Sequence, residues 1–211
     1  TELDTLSAGG NLLEDIGALA SLTGLRVLDL SENPIADLAA LEDLRALEEL
    51  DLARCAVVNV NPLNRLHALR RLDLRHNGVG NIVPLNALTA LEYLSLRGNV
   101  VVNIEPLARY HSIVELDLGE NAIADITALS GLTTVTKLDL RHNAIADITV
   151  LGGLTSIEWL SIKGNQIDSL EPLATLSQLA FMQAGWIDYT NLIPLANLTN
   201  LEALAIRSNG L

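Results

Sequence analysis

The sequence predicts a solenoid of the α/β type, with a parallel β-sheet on its concave face and short turns or 3-10 segments on its convex face. Two observations carry this prediction. The segments LDLSENPIADL, LDLRHNGVGNI, LDLGENAIADI and LDLRHNAIADI begin at positions 28, 72, 116 and 138, so their offsets are whole multiples of a single period. Within a 22-residue unit, apolar residues recur at positions 1, 4, 7, 9, 14, 17 and 20, which is neither a helical nor a simple strand period.

The repeat register predicts a single domain over residues 1–211. Residues 1–21 form a degenerate first unit, and about nine further units follow, of which the last is truncated. Terminal repeats need polar caps, and none is visible in this sequence, so we expect the caps to lie outside it. The units begin at Leu22, Leu44, Leu66, Leu88, Tyr110, Leu132, Leu154, Leu176 and Leu198.

Positions 6 to 10 of each unit alternate between apolar and polar residues, as in ELDLG, and this alternation predicts one short strand. The leucines at positions 7 and 9 would face the core, and the residues at positions 6, 8 and 10 would face outward. The rest of each unit is too short and too rich in Pro and Asn for a long helix, so turns and a short helical segment are expected there.

Composition narrows the classes of function. Aromatic residues make up 3% of a chain that is 49% hydrophobic, which predicts a core of aliphatic side chains. The formal charge of −13 argues against binding to nucleic acid or to an anionic membrane. A single cysteine cannot form an internal disulfide, and no apolar run is long enough for membrane insertion. No motif in the sequence points to a cofactor, so none is expected.

An asparagine recurs at position 12, where its amide is predicted to bond the turn backbone of adjacent coils. Cys55 occupies the same position in its unit, and we expect it to be a buried structural thiol without metal. This asparagine ladder comprises Asn33, Asn77, Asn99, Asn121, Asn143, Asn165 and Asn209.

Aspartates recur at position 8 and basic residues at position 10. This pattern allows either an exposed ladder of ion pairs, each contributing little to stability, or a polar strip that orients a partner. The histidines fall at positions that the period keeps apart, so neither a histidine metal site nor a catalytic Ser, His and Asp set is expected. The chain is predicted not to be an enzyme.

Aromatic residues at outward positions predict where a partner binds. Trp159 and Phe181 fall at position 6 of consecutive units, and Trp186 follows at position 11. Exposed aromatics beside basic residues have the composition of an interface hot spot. Alternatively, Phe181 and Trp186 pack into the irregular unit 176–197. The predicted partner-binding residues on the concave face are Tyr93, Lys137, Asp139, Arg141, Trp159, Lys163, Phe181 and Trp186.

Units such as LTALEYLSLRGNVVVNIEPLAR resemble the 22-residue leucine-rich repeat of bacterial internalins. The resemblance implies a right-handed superhelix and a monomeric, noncatalytic module that holds a protein partner or host receptor, secreted or at a bacterial cell surface. An intracellular regulator of a phosphatase shares this repeat class, so a cytoplasmic regulatory subunit docking on an enzyme is the alternative. A carbohydrate-binding surface is a further alternative.

Overall fold

The computed structural model describes residues 3–185 and 191–206, and the chain divides into two compact units, residues 1–101 and 102–211. Each unit forms a parallel sheet of three-residue strands. The first contains β1 Thr5–Ser7, β2 Val27–Asp29, β3 Glu49–Asp51, β4 Arg71–Asp73 and β5 Tyr93–Ser95. The second contains β6 Glu115–Asp117, β7 Lys137–Asp139, β8 Trp159–Ser161, β9 Phe181–Gln183 and β10 Ala203–Ala205.

Strand pairing follows the repeat register, which confirms the predicted coil. Each strand residue pairs with the residue at the same repeat position of the next coil, as Leu28 does with Leu50 and Leu138 does with Leu160. Because every coil has the same length, a repeat position keeps its place from strand to strand. Side chains at one repeat position therefore form a row across the sheet of each unit.

The chain returns from one strand to the next through a short 3-10 segment. The side chain at position 16 accepts a hydrogen bond from the backbone N–H of position 18, at the start of this segment. Asp125 Oδ1 accepts such a bond from Thr127 at 2.8 Å, and Asn81 Oδ1 accepts one from Val83 at 3.0 Å. The 3-10 segments are Gly17–Ser21, Ala39–Leu41, Asn61–Leu63, Val83–Ala87, Glu105–Arg109, Thr127–Gly131, Thr149–Gly153, Glu171–Thr175 and Ile193–Leu195. No helix in the described ranges could span a bilayer.

The core of each unit is a stack of mainly aliphatic layers, with Tyr110 fully buried in the second unit. In the coil that begins at Leu66, seven apolar side chains are buried: Leu66, Leu69, Leu72, Leu74, Val79, Ile82 and Leu85. Full burial of one such side chain is worth roughly 1.5 to 3 kcal/mol. The irregular unit 176–197 keeps this scheme at its strand, where Met182 and Ala184 replace leucines and are fully buried.

The strands are shorter than the sequence predicts, since they cover positions 6 to 8, and five of the ten described strands end at an aspartate. The carboxylate of Asp139 accepts the backbone N–H of Arg141 at 3.0 Å, and Asp29 accepts that of Ser31 at 3.0 Å. This bond turns the chain, and position 11 then adopts a positive φ, as at His76 with 53°. This backbone conformation favours glycine, which occupies position 11 at Gly98 with a φ of 65°.

Candidate functional site

The asparagine ladder forms as predicted. Asn99 Nδ2 donates to the carbonyls of Leu74 and Leu96, both at 2.9 Å, and Oδ1 accepts the N–H of Val79 at 2.9 Å. Each amide thereby joins its own turn to the preceding coil. The same pattern holds at Asn33, Asn77, Asn143 and Asn165, Asn121 bonds its own turn at Leu118 and Gly119, and Asn209 lies outside the described residues.

Cys55 takes the place of a ladder asparagine with fewer hydrogen bonds. Its Sγ lies 3.4 Å from the carbonyl oxygen of Leu30, and burial raises the pKa of the thiol. A thiol has no amide oxygen to accept the N–H of Ile35, which turns instead to the carbonyl of Asn33 within its own coil at 2.8 Å. These contacts are those of a structural thiol.

The sheet face, by which we mean the outward side chains at positions 6, 8, 10 and 11, carries a row of three predicted site residues in the second unit. Lys137, Trp159 and Phe181 are register partners on β7, β8 and β9. Lys137 Nζ lies 5.9 Å from the centroid of the Trp159 ring, a cation–π contact. The rings of Trp159 and Phe181 stack with their centroids 5.4 Å apart. Both residues are half-buried, so part of the stack remains accessible to solvent.

Tyr93 belongs to the first unit and has a cationic partner that the sequence-based prediction missed. The guanidinium carbon of Arg71 lies 4.2 Å from the centroid of the Tyr93 ring. Arg71 precedes Tyr93 by one complete coil, so the two side chains are register partners. The shared repeat position was the signal that could have identified Arg71.

The remaining polar site residues are less exposed than predicted. Asp139 was expected to face solvent, but its side chain is 8% exposed because it bonds the following turn and lies 3.3 Å from Arg141 Nε. Arg141 itself is 23% exposed, and Lys163 is half-buried. The same arrangement of a position-10 cation beside the aspartate of its own coil recurs at Asp73, whose Oδ2 lies 3.5 Å from Arg75 Nε.

The structure gives no support to a metal centre in the part of the chain that it describes, since no three His, Cys, Asp or Glu side chains there converge on one point. His67 and His111 instead contact carbonyl oxygens of the next coil, at Ala87 and Gly131. Trp186, the last of the predicted site residues, lies outside the described residues.

Comparison with known families identifies the class of protein. A family model described as leucine-rich repeats in two copies matches residues 1–43, 23–65 and 67–109, and a second leucine-rich repeat model matches residues 131–148. The chain therefore belongs to the leucine-rich repeat family. A search of curated protein sequences found no match to it.

Solved structures narrow this class to an internalin-like protein. An internalin, InlF of Listeria monocytogenes, is 31% identical with a TM-score of 0.97, and the match covers 98% of this chain and 61% of that one. Internalin C2 of the same organism is 24% identical with a TM-score of 0.80, covering 96% of this chain and 80% of that one. The ectodomain of the Arabidopsis thaliana receptor kinase GASSHO1/SCHENGEN3, solved with CASPARIAN STRIP INTEGRITY FACTOR 2, is 22% identical with a TM-score of 0.86, covering 97% and 27%. The last two likenesses concern the fold alone.

Proposed function

We propose that this chain is a noncatalytic protein-binding module whose sheet face holds a partner protein. The observation that carries this proposal is the row of Lys137, Trp159 and Phe181, in which an exposed cation and two stacked rings stay partly accessible to solvent. Aromatic and basic side chains of this kind dominate binding energy in protein interfaces. In a chain with 3% aromatic residues, their concentration on the sheet face favours binding over packing.

The wider setting of the module is part of the same proposal. Its internalin-like repeat supports a monomeric module of a bacterial surface or secreted protein, with a host receptor as partner and a single domain over residues 1–211. The plant receptor ectodomain solved with its integrity factor supports the use of this fold in holding another protein. Immunoblotting of the medium, surface and cytoplasmic fractions of the source cells tests the compartment, and analytical ultracentrifugation tests the monomer.

A pull-down with mass spectrometry tests the binding function. The wild-type chain and a Trp159→Ala, Phe181→Ala variant are immobilised and exposed to a lysate and a membrane extract of host cells. We expect the wild type to recover a protein that the variant loses at least tenfold. A matched control is Val83→Ala, Ile193→Ala, which removes apolar side chains that are 56% and 76% exposed at the start of 3-10 segments.

The outcomes separate the alternatives. Equal recovery of the partner by the aromatic variant and the wild type would show that Trp159 and Phe181 do not contribute to binding. Loss of the partner by the control variant would show that the 3-10 side binds it. Specific recovery of an intracellular enzyme such as a phosphatase would favour a regulatory subunit instead. Binding to a glycan array with no protein recovered would favour a carbohydrate-binding surface.

A further inference from the structure

The sheet face carries the same pattern of side chains twice, once in each unit. The strands β3, β4 and β5 correspond to β6, β7 and β8 at an offset of three complete coils. At position 6 each set presents a carboxylate, a cation and an aromatic ring in that order. At position 8 each set presents two aspartates and a serine. The corresponding pairs are Glu49 and Glu115, Arg71 and Lys137, Tyr93 and Trp159, Asp51 and Asp117, Asp73 and Asp139, and Ser95 and Ser161.

The two sets match in their contacts at position 6. In the first unit, the Arg71 guanidinium lies over the Tyr93 ring at 4.2 Å, and its Nε lies 3.9 Å from Glu49 Oε2. In the second unit, Lys137 Nζ lies 5.9 Å from the Trp159 ring centroid and 3.2 Å from Glu115 Oε2. In both units a carboxylate and a ring flank the cation, which lies between its two register partners.

The match continues into the loops after the strands. His76 and His142 both occupy position 11, directly after an arginine at position 10. In both cases the next coil has a glycine at position 11. A Cβ placed on Gly98 would lie 2.4 Å from His76 Nδ1, and one placed on Gly164 would lie 2.5 Å from His142 Nδ1. Each imidazole therefore covers the backbone of the following turn, and only glycine leaves room for it.

The resemblance of the two sets is strongest on the sheet face. In the coil 132–153, the strand segment KLDLRH matches RLDLRH of residues 71–76. Its return segment AIADIT, residues 144–149, is instead identical to residues 122–127 of the preceding coil and unlike GVGNIV at 78–83. If this coil were a sequence duplication of the coil that contains residues 71–83, its strand segment and its return segment would both match that coil. The repeated surface therefore reflects a requirement of the sheet face, which the packing of the coil does not impose.

The charge on the last two strands of each set indicates what it binds, although Glu49 and Glu115 on the preceding strands each lie beside one of the cations. The sheet face of β4 and β5, with the turns that follow them, carries Arg71, Arg75 and Arg97 against one carboxylate, Asp73, which is 8% exposed. The sheet face of β7 and β8 likewise carries three cations, Lys137, Arg141 and Lys163, against one carboxylate, the buried Asp139. These two surfaces hold six of the 13 basic residues of a chain whose net charge is −13. Such local reversal of charge attracts acidic groups, and the adjacent ring offers an apolar contact.

We infer that the sheet face contains two equivalent sites, one centred on Tyr93 and one on Trp159, each of which binds an acidic protein segment with an aromatic side chain beside its carboxylates. This inference rests on the proposed protein-binding function and specifies the chemistry of the partner. A partner that presents such a segment twice gains avidity from the second contact.

The test uses the whole chain and two short synthetic peptides, acetyl-Glu-Phe-Glu-amide and its charge-reversed control acetyl-Lys-Phe-Lys-amide. The backbone amide signals of Gly98 and Gly164 in a ¹H,¹⁵N spectrum report on the two sites separately. We expect both signals to shift with the acidic peptide, with dissociation constants within about threefold of each other, and neither to shift with the basic peptide. Arg71→Glu should weaken the response of Gly98 at least tenfold and spare Gly164, and Lys137→Glu should do the reverse. Both side chains are about half exposed, so these variants keep the fold.

A response at one glycine alone would overturn the equivalence of the sites, and a response to the basic peptide or to neither peptide would overturn the acidic ligand. The pull-down separates these failures from failure of the proposed function. If a partner is lost by the Trp159→Ala, Phe181→Ala variant while the acidic peptide gives no response, protein binding stands and the two acidic-segment sites fall. If neither experiment shows binding, both proposals fall.

Discussion

The indole of Trp159 and the ring of Phe181 are parallel to within 2°, and they are direct register partners on adjacent strands. Parallel strands of equal coils place these two side chains side by side, and the stack orients both rings before any partner arrives. A preformed aromatic surface loses less conformational entropy on binding than two independent side chains would. We therefore propose that the stack serves recognition more than it serves the core.

Removing the rings should therefore cost little stability. We expect Trp159→Ala and Phe181→Ala to show a coupling of about 0.5 to 1.5 kcal/mol in a double-mutant cycle, as measured aromatic pairs do. Each single change should destabilise the protein less than Leu160→Ala, since Leu160 follows Trp159 in the same strand and is fully buried. Urea unfolding followed by circular dichroism measures all four free energies of unfolding. A coupling of zero would show that the stack does not form.

The ladder asparagines should be far more costly to remove. Asn165 is 7% exposed and bonds the carbonyls of Leu140 and Ile162 and the N–H of Ile145. Asn165→Ala leaves these groups unsatisfied, at a cost of about 3 kcal/mol if each bond contributes about 1 kcal/mol. Asn103→Ala is the matched control, since that exposed side chain accepts one bond, from Glu105 N–H at 2.8 Å. Similar losses of unfolding free energy in the two variants would contradict the ladder's role.

Cys55→Asn should stabilise the protein. An amide at this position supplies the side-chain acceptor that would join Ile35 N–H to this coil, in place of its present bond to the Asn33 carbonyl, and its Nδ2 can bond the Leu30 carbonyl, which Cys55 Sγ meets at 3.4 Å. The expected gain is about 1 kcal/mol, the net worth of one hydrogen bond. Cys55→Ala is the control, because it removes the thiol without adding an amide. The midpoint of urea unfolding should rise for the asparagine variant alone, and a fall would mean that the turn cannot hold the larger side chain.

Gly98 should not tolerate a side chain. Its φ is +65°, and an added Cβ would lie 2.4 Å from His76 Nδ1, so Gly98→Ala combines backbone strain with a steric clash. We expect a loss of roughly 1 to 3 kcal/mol, the range for a residue in a sparsely populated backbone region. Combining it with His76→Ala removes the clash and leaves the strain, so the double variant should recover part of the loss. Recovery of none of it would show that the imidazole does not cover the glycine.

Acid should destabilise the first unit through Asp29. Burial opposes ionisation of this carboxylate, but hydrogen bonds from Ser31 and Ser7 lower its pKa below the usual value. Because the folded pKa lies below the unfolded value of about 3.9, the stabilisation is present above that value and is lost as pH falls through the folded pKa. Asp29→Asn keeps an oxygen acceptor for Ser31 N–H and removes the titration. Thermal unfolding between pH 5 and 2 should show a shallower loss for the variant, and identical slopes would contradict this contribution.

The period predicted more of the fold than of the site. Identical coil lengths fix which residues are register partners, so the inward direction of Leu72 and the row of Lys137, Trp159 and Phe181 were both readable from position numbers. The burial of Asp139 was not, because alternation gives the direction of a side chain and says nothing of the turn that follows it. The cation over Tyr93 was missed because the contact joins two coils, and Arg71 is recognised only as the register partner of Tyr93.

Because every coil has the same length, a complete coil can be added or removed without changing how the remaining strands pair. Residues 27 and 50 occupy consecutive repeat positions, so joining them would shorten the first unit by one complete coil and leave the register of every other strand unchanged. Insertion of a complete coil would lengthen it by the same rule, whereas any insertion or deletion of a fractional coil would misalign every later layer. The reach of such a surface can therefore be adjusted in whole steps, with each step adding its own four outward side chains to what a ligand meets.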